Sequence, residues 1–364
     1  MKPGVLLLNF CLLISFAQAQ ELLLVHSLHK DTVVPVSDAY ADPSLIKCIL
    51  LGKNYRSTWA MPVRFPVFFL SMSHLQMEEL GGSKQTNSLY LRDGHDEIWV
   101  LRSVDKDVRK AYPFFVPDFP VVSFKQDLIS ANYPYGALVA AGLVKAAGIE
   151  ASQPVYYFVA DEPALGDARQ LFANTVCLLE KREPGKTSID TDSLKILLKD
   201  TSYTLDKKQL LQVRITDMFI GDGDRHEGQF RWAPDSANKR FHAIPRDRDF
   251  AFFSSRGLIP LVLEVLTGRP KIHFTGNSGK LKKLNHKAWE FDKAFIKDIP
   301  ESAWQETAES VVSKMTDEAL ASAVHRLPDE ILAKDGDALL VKLKSRRNNF
   351  VKNVMVYRDF LLGK

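Results

Sequence analysis

The sequence predicts an α+β fold built as two lobes with a cleft between them. Three observations lead there. The first half is rich in short, strand-like runs broken by Gly, Pro and Asp-Gly turns. From about residue 186 the apolar spacing changes to the helical period. Two short acidic runs then fall where the two kinds of structure would meet. They are Gly221-Asp-Gly-Asp-Arg-His-Glu-Gly-Gln229 and Ile244-Pro-Arg-Asp-Arg-Asp-Phe-Ala-Phe252. Strand-rich and helix-rich halves of one chain suit α+β layering, and ligands favour the cleft between such units.

The 364 residues allow one large domain or two lobes, and the chain divides into four segments. Residues 1–19 have the pattern of a secretory signal peptide: Lys2, an apolar stretch from Val5 to Phe16, and a small-residue site, Ala17-Gln18-Ala19. The apolar run is short for a membrane span, and a retained anchor is the alternative. Cleavage would leave Gln20 as the first residue of an exported chain destined for the periplasm or cell envelope. No later segment is apolar for long enough to span a membrane, so an integral span is not expected in the mature chain.

Residues 20–75 form an extended, Pro-punctuated segment. Within it Trp59 to Leu70 is strand-like, and its prolines suggest an edge. Residues 76–185 form the β-rich lobe. Gly81-Gly82-Ser83-Lys84 opens it as a Gly-rich loop, followed by a strand over 88–92, an Asp93-Gly94 turn and a strand over 97–103. Leu138 to Ala147 reads as a helix ended by Gly148, with strands near 154–159 and 175–180. Residues 186–364 form the helical lobe. Asp206 and Gln209 suit an N-cap and its capping-box partner, and Leu211, Ile215, Met218 and Phe219 line one face of the helix that follows. Arg240 to Ile244 is strand-like, 303–312 is helical, and Asp337 to Leu362 reads as one long helical pattern.

Charge adds little. A formal net charge of +4, spread along the chain, is too weak a bias to argue for a nucleic-acid partner. Cys48 and Cys177 would remain after cleavage, and an oxidising compartment permits either a disulfide or two buried thiols.

The acidic runs carry the candidate chemistry. Asp224, just past a helix end, can orient a hydroxyl and accept its proton, and His226 could stiffen the loop. Gln229 offers a carbonyl oxygen, a hard ligand suited to Mg²⁺. Asp247 and Asp249 follow a strand, where buried carboxylates need a metal or an arginine. The plain alternative is an ion-pair network made with Arg225, Arg246 and Arg248. Gly81, Gly82, Ser83 and Lys84 could cradle a phosphate, or form an ordinary hairpin. Arg102 could bridge phosphates from its strand, with Asp127 as a partner, or simply face outward. Glu180 ends a strand where backbone atoms could meet an adenine edge, its side chain reading as a charged surface turn. An Asp/His metallohydrolase using Asp222, Asp224, His226 and Asp247 is a further alternative.

These motifs resemble the atypical kinase-like superfamily that includes HipA-type kinases and phosphatidylinositol kinases. They are closer still to an uncharacterised bacterial family, mostly from Bacteroidetes, in which the phrases VLRSVDKD, GDxDRHExQxRW and IPRDRDxAFF recur. Here they read Val100 to Asp107, Gly221 to Trp232 and Ile244 to Phe253. The resemblance implies a protein-kinase-like two-lobed fold and a phosphotransferase using Mg²⁺ (or Mn²⁺) with ATP or a related nucleotide. The acceptor is open: protein, lipid headgroup or small molecule. It implies Asp224 as catalytic aspartate, Gln229 and Asp247 as metal ligands, and Arg102 in place of the usual strand lysine. Arginine for lysine and glutamine for asparagine are departures. They leave room for a degenerate module of the cell envelope that binds nucleotide without transferring phosphate.

Overall fold

The computed structural model of the chain describes residues 30–82, 85–111, 122–182, 188–235, 239–267 and 272–364. The proposed signal peptide, Ser83 and Lys84 therefore lie outside the described residues. The fold is α+β, with a β-rich N-terminal region followed by a helical C-terminal one.

Seven strands make the larger sheet: β1 (Asp31–Val34), β2 (Val63–Phe68), β3 (Gln76–Gly81), β4 (Ser88–Arg92), β5 (Ile98–Ser103), β6 (Val155–Val159) and β7 (Val176–Lys181). Their order is β1-β2-β6-β7-β5-β4-β3. Only the β2–β6 pair is parallel. A smaller sheet has the order β8-β10-β9, from β8 (Thr204–Leu205), β9 (Phe230–Asp235) and β10 (Arg240–Pro245). The helices used below are α1 (Leu45–Leu51), α2 (Ser123–Leu128), α3 (Gly136–Ala146), α4 (Lys207–Ile220), α5 (Leu258–Thr267), α6 (Glu301–Lys314), α7 (Asp337–Arg347) and α8 (Phe350–Leu361).

Strand alternation sorts the large sheet into two faces. Leu89, Leu91, Leu101, Cys177 and Leu179 pack together on one side. Leu178 faces the other way, into the main core shared with the helices, and Val100 on the same side lines the space between the lobes. Because β5 pairs with β7 as Val100↔Glu180 and Arg102↔Leu178, Arg102 and Glu180 share that second face. The period-2 pattern thus brings two charged groups to the junction of the lobes.

The expected β2 strand is present, but it is not an edge. It pairs with both β1 and β6. Pro66 is tolerated because the β6 ladder involves only Val67 and Phe68, so the missing N–H interrupts nothing.

Helix α4 is the centre of the helical region. Its residues Leu210, Leu211, Val213, Ile215, Met218, Phe219 and Ile220 are all buried, and it packs on α6 and β10. Asp206 caps it, accepting from the N–H of Gln209 at 3.0 Å. The expected capping box does not close. The Gln209 side chain instead clamps the backbone of Ala243 in β10, donating at 2.8 Å and accepting at 3.0 Å. The N–H of Asp206, which a closed capping box would satisfy, already donates to the Phe241 carbonyl at 2.9 Å, so the Gln209 amide serves the strand instead. Gly221 ends the helix in the left-handed region, at φ +73°. The single pattern expected over 337–362 is two helices, α7 and α8, because Asn348 is extended and Asn349 takes φ +61°.

Candidate functional site

A cavity of about 490 Å³ opens between the lobes. One wall comes from β5 and β7, through Val100, Arg102 and Glu180 to Arg182, and the opposite wall from β10. Residues 148–152 close one side. At its inner end lies a second, smaller space of about 60 Å³, which shares Arg102 and Glu180 and is lined by Lys106, Asp247 and Asp249. Arg102 and Glu180 form an ion pair at 3.0 Å, and Ser152 donates to Glu180 at 2.5 Å. The Glu180 side chain is thus an inward partner of Arg102, not a surface turn. Nor does Asp127 serve Arg102. It is buried against Arg56, at 2.9 Å for one of the two bonds, and reaches Lys47 at 2.7 Å.

β10 leads directly into Asp247, whose φ of +52° is left-handed. That turn separates three successive side chains by direction. Arg248 enters the helical core, donating to Asp217 at 3.1 Å. Asp247 and Asp249 face the cations of the other lobe, and Lys106 pairs with Asp249 at 2.5 Å. Burial opposes the charge on Asp247, but Arg102, Lys106 and a hydrogen bond from Asp249 outweigh it and hold its pKa down at about 2. Burial, then the adjacent Asp247 charge, push Asp249 up to about 7 despite the Lys106 contact. Near neutral pH the two carboxyls therefore share one proton.

Lys106 links the carboxylates. Burial opposes its charge, yet Asp249, Asp247 and Asp224 together raise its pKa above that of an ordinary lysine. In the sequence Lys106 lies within the Val100–Asp107 motif, with no role implied by its residue type alone. Its signal was position: it stands four residues after Arg102, just past the end of β5.

The preceding loop is held from below. Asp222 is buried, accepts from the N–H of Asp224 at 3.1 Å and meets Arg225 at 3.2 Å. Burial pushes its pKa up to about 6, although Arg225 pulls the other way. Asp224 remains partly open and pairs with Lys287 from a distant segment. His226 is exposed, and its Nδ1 accepts from the N–H of Gly228 at 3.2 Å, so it stiffens the turn as one reading proposed. Gln229 is buried, and its Oε1 accepts from Arg225 at 3.1 Å. The Asp/His set of the metallohydrolase reading is dispersed: Asp222 faces Arg225 and His226 faces solvent.

The expected arginine network exists, but around a residue not singled out from sequence. Asp217 of α4 receives Arg225 and Arg248 at 3.1 Å each, and Arg214 at 3.3 Å. Arg214 also grips Asp292 at 2.7 Å and Asn285 at 2.7 Å, and Tyr357 of α8 donates to Asp292 at 2.7 Å. Both acidic runs are thereby anchored to α4; Asp247 and Asp249 line the inner space, while Asp224 is held by Lys287 outside the lining of both spaces.

Gly81 and Gly82 close the β3–β4 turn, outside the walls of both spaces. Gly82 has φ +101°, and a Cβ there would lie 2.2 Å from the Thr86 carbonyl. Gly81 pairs with Ser88, which pairs with Arg102, so the turn is level with Arg102, about 10 Å away at two strand spacings.

A divalent hard cation takes oxygen ligands, and magnesium is commonly held by one or two carboxylates completed by waters and phosphate oxygens. Asp247 and Asp249 fit that requirement, since a pair sharing a proton is a pair that a cation can bridge. Gln229 does not add a third ligand in this arrangement, because its oxygen is engaged by Arg225. Among the described residues, no three His, Cys, Asp or Glu groups converge as an all-protein metal cage.

No family model and no curated protein matches the chain. Two solved structures are similar to it in overall layout. One is the Helicobacter pylori proinflammatory kinase CtkA, at 12% identity and a TM-score of 0.42, covering 79% of this chain and 97% of that one. The other is the Shewanella oneidensis toxin–antitoxin protein HipA, solved with HipB and operator DNA. It has 10% identity and a TM-score of 0.40, covering 78% of this chain and 67% of that one.

Proposed function

We propose that the chain is a kinase-like phosphotransferase that binds ATP or a related nucleotide with Mg²⁺ or Mn²⁺ in the cleft between its lobes. The observation that carries this reading is the inner end of the cleft. There Asp247 and Asp249 stand opposite Arg102 and Lys106, next to a cavity of about 490 Å³, within the size range of small-molecule sites. Phosphoryl transfer asks a protein mainly for positioning and for charge stabilisation. Arg102 and Lys106 supply cations to phosphate oxygens, and Glu180 keeps Arg102 aimed inward. A bound cation would supply neutralisation of the phosphate charge, held by Asp247 and Asp249. Asp224 orients the acceptor hydroxyl and takes up its proton, once the acceptor displaces Lys287 from it.

A second reading is a binding module that retains nucleotide but not transfer. Two contacts favour it: Lys287 occupies Asp224, and Arg225 occupies Gln229. Nucleotide turnover over a panel of hydroxyl acceptors, with Asp224→Ala as control, separates the two. Phosphate transfer lost in that variant supports the first, and metal-dependent binding without transfer supports the second.

We also propose that the chain belongs with the exported bacterial family whose motifs it resembles, and that it acts in the periplasm or envelope. Intact mass of the protein from its natural compartment is expected to correspond to a chain starting at Gln20. A full-length mass would contradict export by cleavage.

A further inference from the structure

Large apolar side chains are unevenly distributed over the surface. Eighteen are exposed among the described residues, and ten of them, four on α1 and six on α5, belong to two helices. Leu45 is 75% exposed, Val265 77% and Leu266 75%. The helices pack on each other where the end of α1 meets the start of α5, so closely that a Cβ at Gly257 would lie 2.3 Å from the Leu50 carbonyl. Together they bring ten exposed apolar side chains to one region of the surface, and clustered exposure of this kind marks an interaction surface.

The charges say what suits it. Each helix has a single charged residue, and each is already paired: Lys47 with Asp127 at 2.7 Å, and Glu264 with Lys283 at 2.7 Å. The rim is basic where the two helices meet, and carries Asp38 and Asp42, both exposed, before the start of α1. Lys53 and Arg256 are exposed where α1 meets α5, and Lys280 and Lys283 are exposed beside the other end of α5. A second copy of the chain related by a two-fold through the junction would set Lys53 and Arg256 against their own copies. Short helices with an apolar face and a basic rim are instead matched to an anionic bilayer, lying in the plane of its interface. No helix among the described residues is long and apolar enough to cross a membrane, so the contact would be peripheral.

We propose that the α1–α5 face is a membrane-docking surface that inserts its apolar side chains into the headgroup region of an anionic bilayer. This inference does not depend on the cleft binding nucleotide. The test is flotation of the purified mature chain with vesicles of phosphatidylcholine, alone or mixed with phosphatidylglycerol. The chain is expected to float with the mixed vesicles, to remain behind with the neutral ones, and to lose association in high salt. The pair Val265→Glu/Leu266→Glu is expected to reduce the floated fraction about tenfold. Ile46→Glu/Ile49→Glu, on the other helix, is expected to do the same, and an unchanged thermal melt shows that each variant is folded. No flotation, equal flotation with neutral vesicles, or flotation indifferent to both pairs would overturn the proposal. So would a stable dimer in solution that either pair dissociates, since the face would then be a self-interface.

Discussion

Asp249 is the residue on which the chemistry of the cleft turns. With its pKa at about 7 beside an Asp247 held at about 2, it carries the shared proton below neutrality and gives it up above. A cation bridging the pair must displace that proton. Mg²⁺ or Mn²⁺ affinity is therefore expected to rise as pH increases from 6 to 8, with close to one proton released per ion at the acid end of that range and almost none at the other. Calorimetry in two buffers of different ionisation enthalpy measures that release, and Asp249→Asn is expected to abolish the pH dependence. A proton count of zero in the unmodified chain at the acid end of that range would contradict the shared-proton description. Asp222 gives an independent check on stability. Its native pKa of about 6 lies above the ordinary aspartate value, so the native state binds the proton more tightly than the unfolded chain. Its contribution is full below about pH 4 and is lost as pH rises through about 6. Thermal melts across that window should fall less steeply with pH for Asp222→Asn than for the unmodified chain. Parallel profiles would count against it.

At the scale of single elements, the connection from α4 into the acidic loop is the tightest constraint. Gly221 has φ +73°, and a Cβ there would sit 2.6 Å from the Phe274 ring. Gly221→Ala is expected to cost about 1–3 kcal/mol from left-handed strain and overpacking, read as a lower urea midpoint with an unchanged slope. The strand and helix periods in this region were legible from sequence. α4, its Asp206 cap and its Gly221 stop stand where the apolar spacing puts them, and β4, β5, β6 and β7 follow their runs of β-formers. The misses have physical causes. Pro66 suggested an edge because sequence does not show that the β6 ladder begins at Val67. Gln209 suggested a capping box because sequence does not show Ala243 folding back within its reach. Asn348-Asn349 broke a helix whose apolar period continues on both sides.

At the scale of the molecule, the candidate site depends on an electrostatic framework that sequence spacing could not reveal. The motif residues Asp224, Asp247, Asp249 and Arg102 were legible, because carboxylates and a cation in short polar runs stand out against apolar strands. Their partners were not. Lys106 and Lys287 lie in unremarkable basic context, Glu180 reaches Arg102 only through the β5–β7 register, and Asp217 stands inside an apolar helical stripe. Asp217, Arg214 and Asp292 are fully buried ions, and removing one leaves the others unpaired. Arg214→Met is accordingly expected to destabilise the fold by about 3–5 kcal/mol in urea unfolding. A loss below about 1 kcal/mol would show that the network is not holding the two acidic runs in place.

The central claim is that this cleft binds a nucleotide through a cation on Asp247 and Asp249. Calorimetric titration of the purified chain with ATP, with and without Mg²⁺ and beside an Asp247→Ala control, decides it. Binding is expected to require the metal and to be lost in the control. Absence of binding in both conditions, or binding indifferent to the metal and to the substitution, would contradict it.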